Sequence, residues 1–381
     1  MKRSKVWLSI LSFLGLSVFC CCGTGIGFFY RYFTAGVNPL REVKLATLGE
    51  SIQVKDDPFD GRNNALRRLL IDEIDHGSQF QPGNKKDLGP RPVVDWTRIP
   101  TTYYHPNGPV GLAMAKFNWF PFDDNSLEPG DARMPASLVG FSLLAVINSP
   151  LCMLPALWSE PPVGVVMMNN GTPAAYARPY QFVDFYERDP SIIRLSLPND
   201  GKAPSFTHIA DAKKRGAQIR VLEGNERKTL ENDGPKAFYH LLVVDTSHGH
   251  PALPSKELLT KEGMQSLMNS VVDDGIILFH TSSRNFALEK VVASSSSQLK
   301  FAHLRMHDGK SDRQVGHYTS EWVAVARNAE ALRFVKELVD LRNQRNPGPN
   351  PNEILRAEQS PIDPALFWTD GGSNSLKAVQ R

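Results

Sequence analysis

Residues 163–193, VGVVMMNNGTPAAYARPYQFVDFYERDPSII, constrain this chain more than any other stretch. A short apolar run over 163–168 stops at a turn, 169–171. A helix-like segment opens at Thr172, whose hydroxyl suits a cap, and Pro173 suits the first helical position. A second apolar run ends on Glu187. Strand, turn, helix and strand with an acid at the second tip is the layout of folds that hold a nucleoside cofactor. The turn offers backbone N–H groups at a helix start, and the acid takes up ribose hydroxyls. Only Gly171 stands where such turns usually carry two or three glycines.

The chain has 381 residues, enough for one large domain or two modest ones. Its 41% apolar and 22% charged residues are an ordinary globular balance that can bury a core. A net charge of +3, with no basic cluster interleaved with aromatics, gives no argument for a nucleic-acid partner, and none is expected.

Residues 6–30 are 25 positions without a charge. A helix of that length reaches about 37 Å, enough to cross a bilayer with some tilt. No small-x-small site closes the run, and Phe19 before Cys20 makes a poor lipoprotein site, so an uncleaved anchor is expected. Cys20, Cys21 and Cys22 lie inside it and Cys152 far away, which implies no disulfide framework. Lys2, Arg3 and Lys5 precede the run, and Arg31, Arg41 and Lys44 follow, so the charge bias does not fix an orientation. The expectation is a single-pass membrane protein with its soluble part in the cytoplasm. A second apolar stretch, 136–158, is interrupted by Asn148, Pro150 and Pro155 and reads as a buried, broken helix.

Residues 63–76 have helical spacing, with Leu66, Leu69, Leu70 and Ile74 on one face. Residues 77–92 are rich in Pro, Gly and Lys and read as a linker, and 101–115 read as a hairpin turning at 106–108. From Val163 onward, strand patterns fall at 163–168, 182–187, 218–223, 240–245, 275–281, 301–306 and 321–326. Helical patterns lie between most of them, at 255–272 and 284–294 among others. This predicts a doubly wound α/β sheet of seven strands. The loop 307–318 lacks a helix, so the last two strands form an antiparallel hairpin. A final helix is expected over 329–343, and 346–352 is a turn-rich break. The expected organisation is an anchor (1–31), a stalk and linker with a short helix (32–95), an N-terminal β-structure and broken helix (96–160), a Rossmann-like domain (161–345) and a tail (346–381).

Ligands of open α/β sheets bind outside the carboxyl ends of the strands. The candidates are therefore 169–173, Glu187 and Asp189, then Gly224, Asn225 and Glu226. Asp245, Thr246, Ser247, His248 and His250 follow the fourth strand, and His280, Thr281, Ser282 and Arg284 the fifth. Loops are polar anyway, but Glu187 and Asp245 end apolar runs abruptly. His248 and His250 lack a third ligand at a telling spacing and read as solvated loop histidines, so no metal is expected. No G-x-S-x-G elbow supports Ser-His-Asp hydrolysis.

Eight phrases carry a family resemblance: YYHPNGPVG (103–111), SEPPVGVV (159–166), AAYARPYQFVDFYERDP (174–190), HLLVVD (240–245), LPSKELLTKEG (253–263), GIILFHTSSR (275–284), SEWVAVAR (320–327) and FWTDGGSN (367–374). From about residue 100 to 379 the chain resembles the spermidine synthase-like (polyamine aminopropyltransferase) proteins, in particular bacterial members attached to membrane segments. The resemblance implies a seven-stranded Rossmann-like methyltransferase sheet, preceded here by a β-structure at 100–115. It implies decarboxylated S-adenosylmethionine or S-adenosylmethionine as cofactor and an amine as second ligand, and it is compatible with a homodimer. Carried over residue by residue, the glycine turn falls on 169–171, with Gly171 and Thr172 at the cofactor. The ribose acid falls on Glu187, and the pair that meets adenine on Gly224 and Asn225. Asp245 becomes the acid that helps deprotonate the attacking amine, with Thr246 beside it on the cofactor side and Tyr104 and His248 on the substrate side.

The turn departs from the family's pattern. It reads M-N-N-G-T, with Asn169 where a glycine permits close approach and positive φ. Asparagine tolerates the left-handed region better than most residues, so the turn itself can survive. Asn225 replaces an aspartate, and residues 248–251 supply no carboxylate for a cationic amine, which loses a charge-assisted partner. Two main functions follow. One is aminopropyl transfer by direct displacement, with Asp245 as the base. The other is a degenerate, non-catalytic binding or scaffold module at the membrane. Transfer of a methyl or other group is a third. An open cleft above Gly171 favours a ligand; a plugged one favours the scaffold.

Overall fold

Alternation of strand and helix after Val163 builds a mostly parallel sheet. The computed structural model describes residues 52–57, 65–71, 74–81, 96–117, 160–198, 201, 203–246, 256–283, 286–312, 316–345 and 354–372. Its main strands are β4 (Val163–Val166), β5 (Phe182–Glu187), β6 (Gln218–Glu223), β7 (Tyr239–Val244), β8 (Val271–His280), β9 (Ala302–Asp308), β10 (Ser320–Ala326) and β11 (Arg356–Glu358). They lie in the order β11-β9-β10-β8-β7-β4-β5-β6. The strands β4 to β8 run parallel, and β10 pairs antiparallel with both β8 and β9. The expected antiparallel end of the sheet is therefore present. The sheet has eight strands rather than seven, because β11 adds to the outer edge of β9.

Both faces of the sheet are covered, so successive residues of each strand enter opposite cores. Val163 and Val165, Leu241 and Val243, Ile276 and Leu278, and Trp322 and Ala324 pack on one face. That face is closed by α1 (Pro109–Phe117), α2 (Pro190–Ser196), α3 (His208–Lys214) and α7 (Ala329–Arg345). Val166, Leu242 and Val244, Ile277 and Phe279, and Val323 and Val325 pack on the other, against α4 (Glu226–Asn232), α5 (Lys261–Asn269) and α6 (Leu288–Gln298). Extended by one or two residues beyond the strand tips, this parity places Glu187, Asp245, His280 and Ser282 on the α1 face. Chain order reverses between β4 and β7, which makes that junction the switch point of the sheet.

Before the sheet come β1 (Ile52–Asp57), β2 (Leu66–Ile71) and β3 (Ile74–Phe80), a three-stranded antiparallel unit. This corrects the helix expected over 63–76. The register shifts between Leu69 and Leu70, and a bulge turns both onto buried positions with Leu66. That break in period two imitates helical spacing. The β-structure expected at 100–115 is likewise a turn followed by α1. Pro109 opens the helix, where its missing N–H costs nothing. Gly111 is needed there, because a Cβ would lie 2.0 Å from the Pro106 carbonyl oxygen.

The segment after the 169–171 turn is a short 3-10 helix, Thr172–Tyr176, rather than an α-helix. Its cap is Gly171 at φ 73°, so Thr172 is the first helical residue and not the cap. The helix expected at 255–272 is confined to α5, capped by Thr260, and β8 already begins at Val271. Among the described residues no helix is long and apolar enough to cross a membrane. The expected anchor at 6–30, the apolar stretch at 136–158 and the four cysteines lie outside those residues.

Candidate functional site

Strand register assembles the site. Val166 of β4 pairs with Val244 of β7, and Val244 with Phe279 of β8. The next residues, Asp245 and His280, are therefore neighbours, and His280 in turn pairs with Trp322 of β10. The Asp245 N–H donates to the Val166 carbonyl at 3.1 Å, which holds it beside the turn that follows β4.

Asp245 is fully buried and its carboxylate is surrounded by donors. The Tyr104 hydroxyl donates to Oδ2 at 2.5 Å, and Asn169 Nδ2 donates to the same oxygen at 2.7 Å. His280 Nδ1 lies 2.7 Å from Oδ1, and His280 Nε2 lies 2.9 Å from Ser282 Oγ. The imidazole packs against both Tyr103 and Trp322, each with its ring centroid 4.4 Å away, and these two rings also touch one another at 6.1 Å. Burial, with the Asp245 charge adding to it, holds the Tyr104 hydroxyl well above its ordinary pKa, so it remains a donor.

The turn between the two acids is pinned from both sides. Asn169 has φ 49°, in the left-handed region that asparagine tolerates, and directs its side chain toward Asp245. Asn170 is turned toward the N-terminal sheet. Its Nδ2 donates to the Ser78 carbonyl at 3.0 Å, and its Oδ1 accepts from Thr172 Oγ1 at 2.7 Å. It packs so closely on β3 that a Cβ on Gly77 would lie 2.4 Å from its Oδ1. Gly171 is closed over as well, since a Cβ there would meet Ile209 of α3 at 3.0 Å.

Glu187 holds the same turn from the β5 side. Its Oε2 accepts from the Met168 N–H at 2.9 Å and its Oε1 from the Asp189 N–H at 3.0 Å. Burial pushes its pKa up to about 7, against these two hydrogen bonds and with help from the Glu226 carboxylate. Glu226 is itself buried and paired with Arg188. Gly224 donates its N–H to the Glu187 carbonyl at 3.0 Å. Asn225 caps α4: its Oδ1 accepts from the Lys228 N–H at 3.0 Å while its Nδ2 donates to Glu257 at 2.6 Å. Thr246 Oγ1 donates to the His280 carbonyl at 2.7 Å.

Asp245, Glu187 and Tyr104 thus lie on one face of the sheet beside the switch point, Gly171 and Thr172 belong to the turn after β4, and Thr246 bonds to the β8 backbone instead. Gly224 and Asn225 lie at the next strand tip, and His248 is outside the described residues. His280 and Ser282 were visible in sequence only as polar residues at a strand end. Their partnership follows from alternate-residue spacing on an extended segment, which puts both on one face. Tyr103 and Trp322 carried no signal beyond aromatic content. Among the described residues, no group of three or more His, Cys, Asp or Glu is arranged to hold a metal.

The acids at the turn are engaged by the protein itself. Each Glu187 oxygen accepts one backbone N–H of its own neighbourhood, so a ribose hydroxyl would share that oxygen's remaining lone pair. The Asn169 side chain occupies the Asp245 oxygen that an amine would approach.

No protein-family profile matches the chain, and no curated protein matches it. Solved structures similar to it include a probable spermidine synthase from Corynebacterium glutamicum, at 10% identity and a TM-score of 0.44 over 81% of this chain and 87% of that one. Spermidine synthase from Thermotoga maritima aligns at 10% identity and 0.36 over 76% and 79%. Human methyltransferase-like protein 13, in complex with SAH, aligns at 15% identity and 0.35 over 54% and 90%. The strands and helices themselves show an α/β fold with a mostly parallel sheet.

Proposed function

We propose that this chain is a spermidine synthase-like domain whose nucleoside pocket is closed by its own side chains, serving as a non-catalytic module with respect to aminopropyl transfer. The observation that carries this reading is the hydrogen bond from Asn169 Nδ2 to Asp245 Oδ2. It places an amide where the resemblance puts the reacting amine. The glycine-to-asparagine change that creates it also lines the turn with side chains instead of open backbone. The charge-free run at 6–30 supports a module held at a membrane. Removing residues 1–31 is expected to shift the protein into the soluble fraction.

Aminopropyl transfer is the second reading. It is favoured by the placement of Asp245 and Glu187 at carboxyl ends on one face, flanking the switch point. In that reaction the neutral amine attacks the aminopropyl carbon next to the sulfonium, the C–S bond breaks, and the amine proton passes to Asp245. The thioether nucleoside leaves. Incubation of the full chain with decarboxylated S-adenosylmethionine and a polyamine separates the two readings. The closed-pocket reading expects no release of 5′-methylthioadenosine. Release that Asp245→Asn removes would replace it with the transferase reading.

A further inference from the structure

The same closed cluster contains an arrangement of a different chemical class. We propose that Ser282 is a nucleophile toward carboxylic esters, with His280 as its base and Asp245 as the residue that positions the imidazole. This goes beyond the closed nucleoside pocket, and its test uses no adenosyl ligand.

The atoms form one line. Asp245 Oδ1 lies 2.7 Å from His280 Nδ1, and His280 Nε2 lies 2.9 Å from Ser282 Oγ. With Asp245 as a carboxylate, it can only accept, so Nδ1 carries the proton and Nε2 of the neutral imidazole is left to accept from the serine. That is the tautomer a general base needs. Tyr104 and Asn169 donate to the other Asp245 oxygen and fix the carboxylate in place. Tyr103 and Trp322 pack against the ring and against each other, which restricts its rotation. The Ser282 Oγ accepts from the Glu321 N–H at 2.7 Å, and of the two acceptors within reach of its proton, His280 Nε2 at 2.9 Å is much nearer than the Glu321 carbonyl at 3.5 Å.

Exposure follows the roles. Asp245 and His280 are buried, whereas Ser282 is only half-buried, on the loop just past the carboxyl end of β8. The reactive atom is the member of the line nearest to solvent. No sequence elbow marks it, because the serine stands two residues after its base on one extended segment, not at a strand-to-helix turn.

The step balances with water as the only co-reactant. Ser282 Oγ bonds to the ester carbonyl carbon as its proton passes to His280 Nε2. The ester C–O bond breaks and the leaving alcohol takes that proton. Water then repeats the sequence on the acyl-serine, releasing the acid and restoring the hydroxyl.

The full-length protein in detergent is treated with a fluorophosphonate probe, and the adduct is located by peptide mass spectrometry. Hydrolysis of p-nitrophenyl acetate is followed in parallel from pH 5 to 9. The proposal expects an adduct on Ser282, none in Ser282→Ala, and an adduct at the wild-type rate in Ser283→Ala. In His280→Gln, labelling and hydrolysis are expected to slow at least 100-fold. In Asp245→Asn, the pH profile of hydrolysis is expected to change along with its rate, which a merely structural role would not produce. An unlabelled wild type, an adduct on another residue, or His280→Gln labelled at the wild-type rate would overturn the proposal and leave the line as a hydrogen-bond chain that fixes the loop after β8.

Discussion

Asn169 and Asp245 follow neighbouring parallel strands, and their side chains meet at 2.7 Å, Nδ2 to Oδ2. The contact joins the turn of a nucleotide-type fold to the acid that the family resemblance makes catalytic. It satisfies a buried carboxylate and ties the turn to it in one interaction. A hydrogen bond to a charged group is worth about 1.5–3 kcal/mol, and leaving such a group unpaired costs more.

That gives a prediction with an internal control. Asn169 has φ 49°, a left-handed value that asparagine tolerates better than alanine does and that glycine adopts freely. Asn169→Ala is expected to destabilise the protein by about 2–4 kcal/mol, and Asn169→Gly by about 1 kcal/mol less. Urea unfolding of both variants reads the difference. Equal losses would show that the left-handed backbone is not strained by a side chain.

Gly77 and Asn170 should be coupled. A Cβ on Gly77, at φ 148°, would lie 2.4 Å from Asn170 Oδ1. Gly77→Ala is expected to cost about 2–4 kcal/mol alone and at least ~1 kcal/mol less in an Asn170→Ala background. Part of the cost remains, because the positive φ is unchanged. A double-mutant cycle with no coupling would mean that the N-terminal sheet does not clamp the turn through this pair.

Glu187 predicts a pH dependence. Its carboxyl pKa is raised from 4.5 to about 7, so the folded chain holds a proton that the unfolded chain releases. Its contribution is full below pH 4.5 and is lost as pH rises through 7. The size is on the order of 3 kcal/mol. Asp75, raised to about 6, and His208, lowered to about 4, titrate in the same range, so the difference between wild type and Glu187→Gln isolates the effect. Relative to the variant, wild type is expected to lose stability between pH 5 and pH 8. An unchanged difference across that range would contradict a burial cost on the charged form of this carboxyl.

Much of the sheet was legible because its strands are buried on both faces and bounded by polar tips. The bounds 182–187 and 218–223 coincide with β5 and β6. The N-terminal unit was not legible, since a bulge at Leu69 and Leu70 breaks the strand period and mimics a helix. In the site, the placement of Glu187 and Asp245 at strand tips could be read from abrupt apolar-to-acid transitions. Their partners could not. Whether Glu187 faces a ligand or the Met168 N–H depends on backbone direction in a five-residue turn. His280 and Ser282 reach Asp245 only through cross-strand register, which a single sequence does not encode locally.

Titration calorimetry of the full chain in detergent, with decarboxylated S-adenosylmethionine and S-adenosylhomocysteine, tests the closed pocket most directly. The Glu187, Asn225, Thr172 and Asp245 side chains are already bonded within the protein, so the account predicts no binding heat up to millimolar ligand. Saturable binding of either compound with a Kd below about 100 μM, equivalent to about −5.5 kcal/mol, would contradict it.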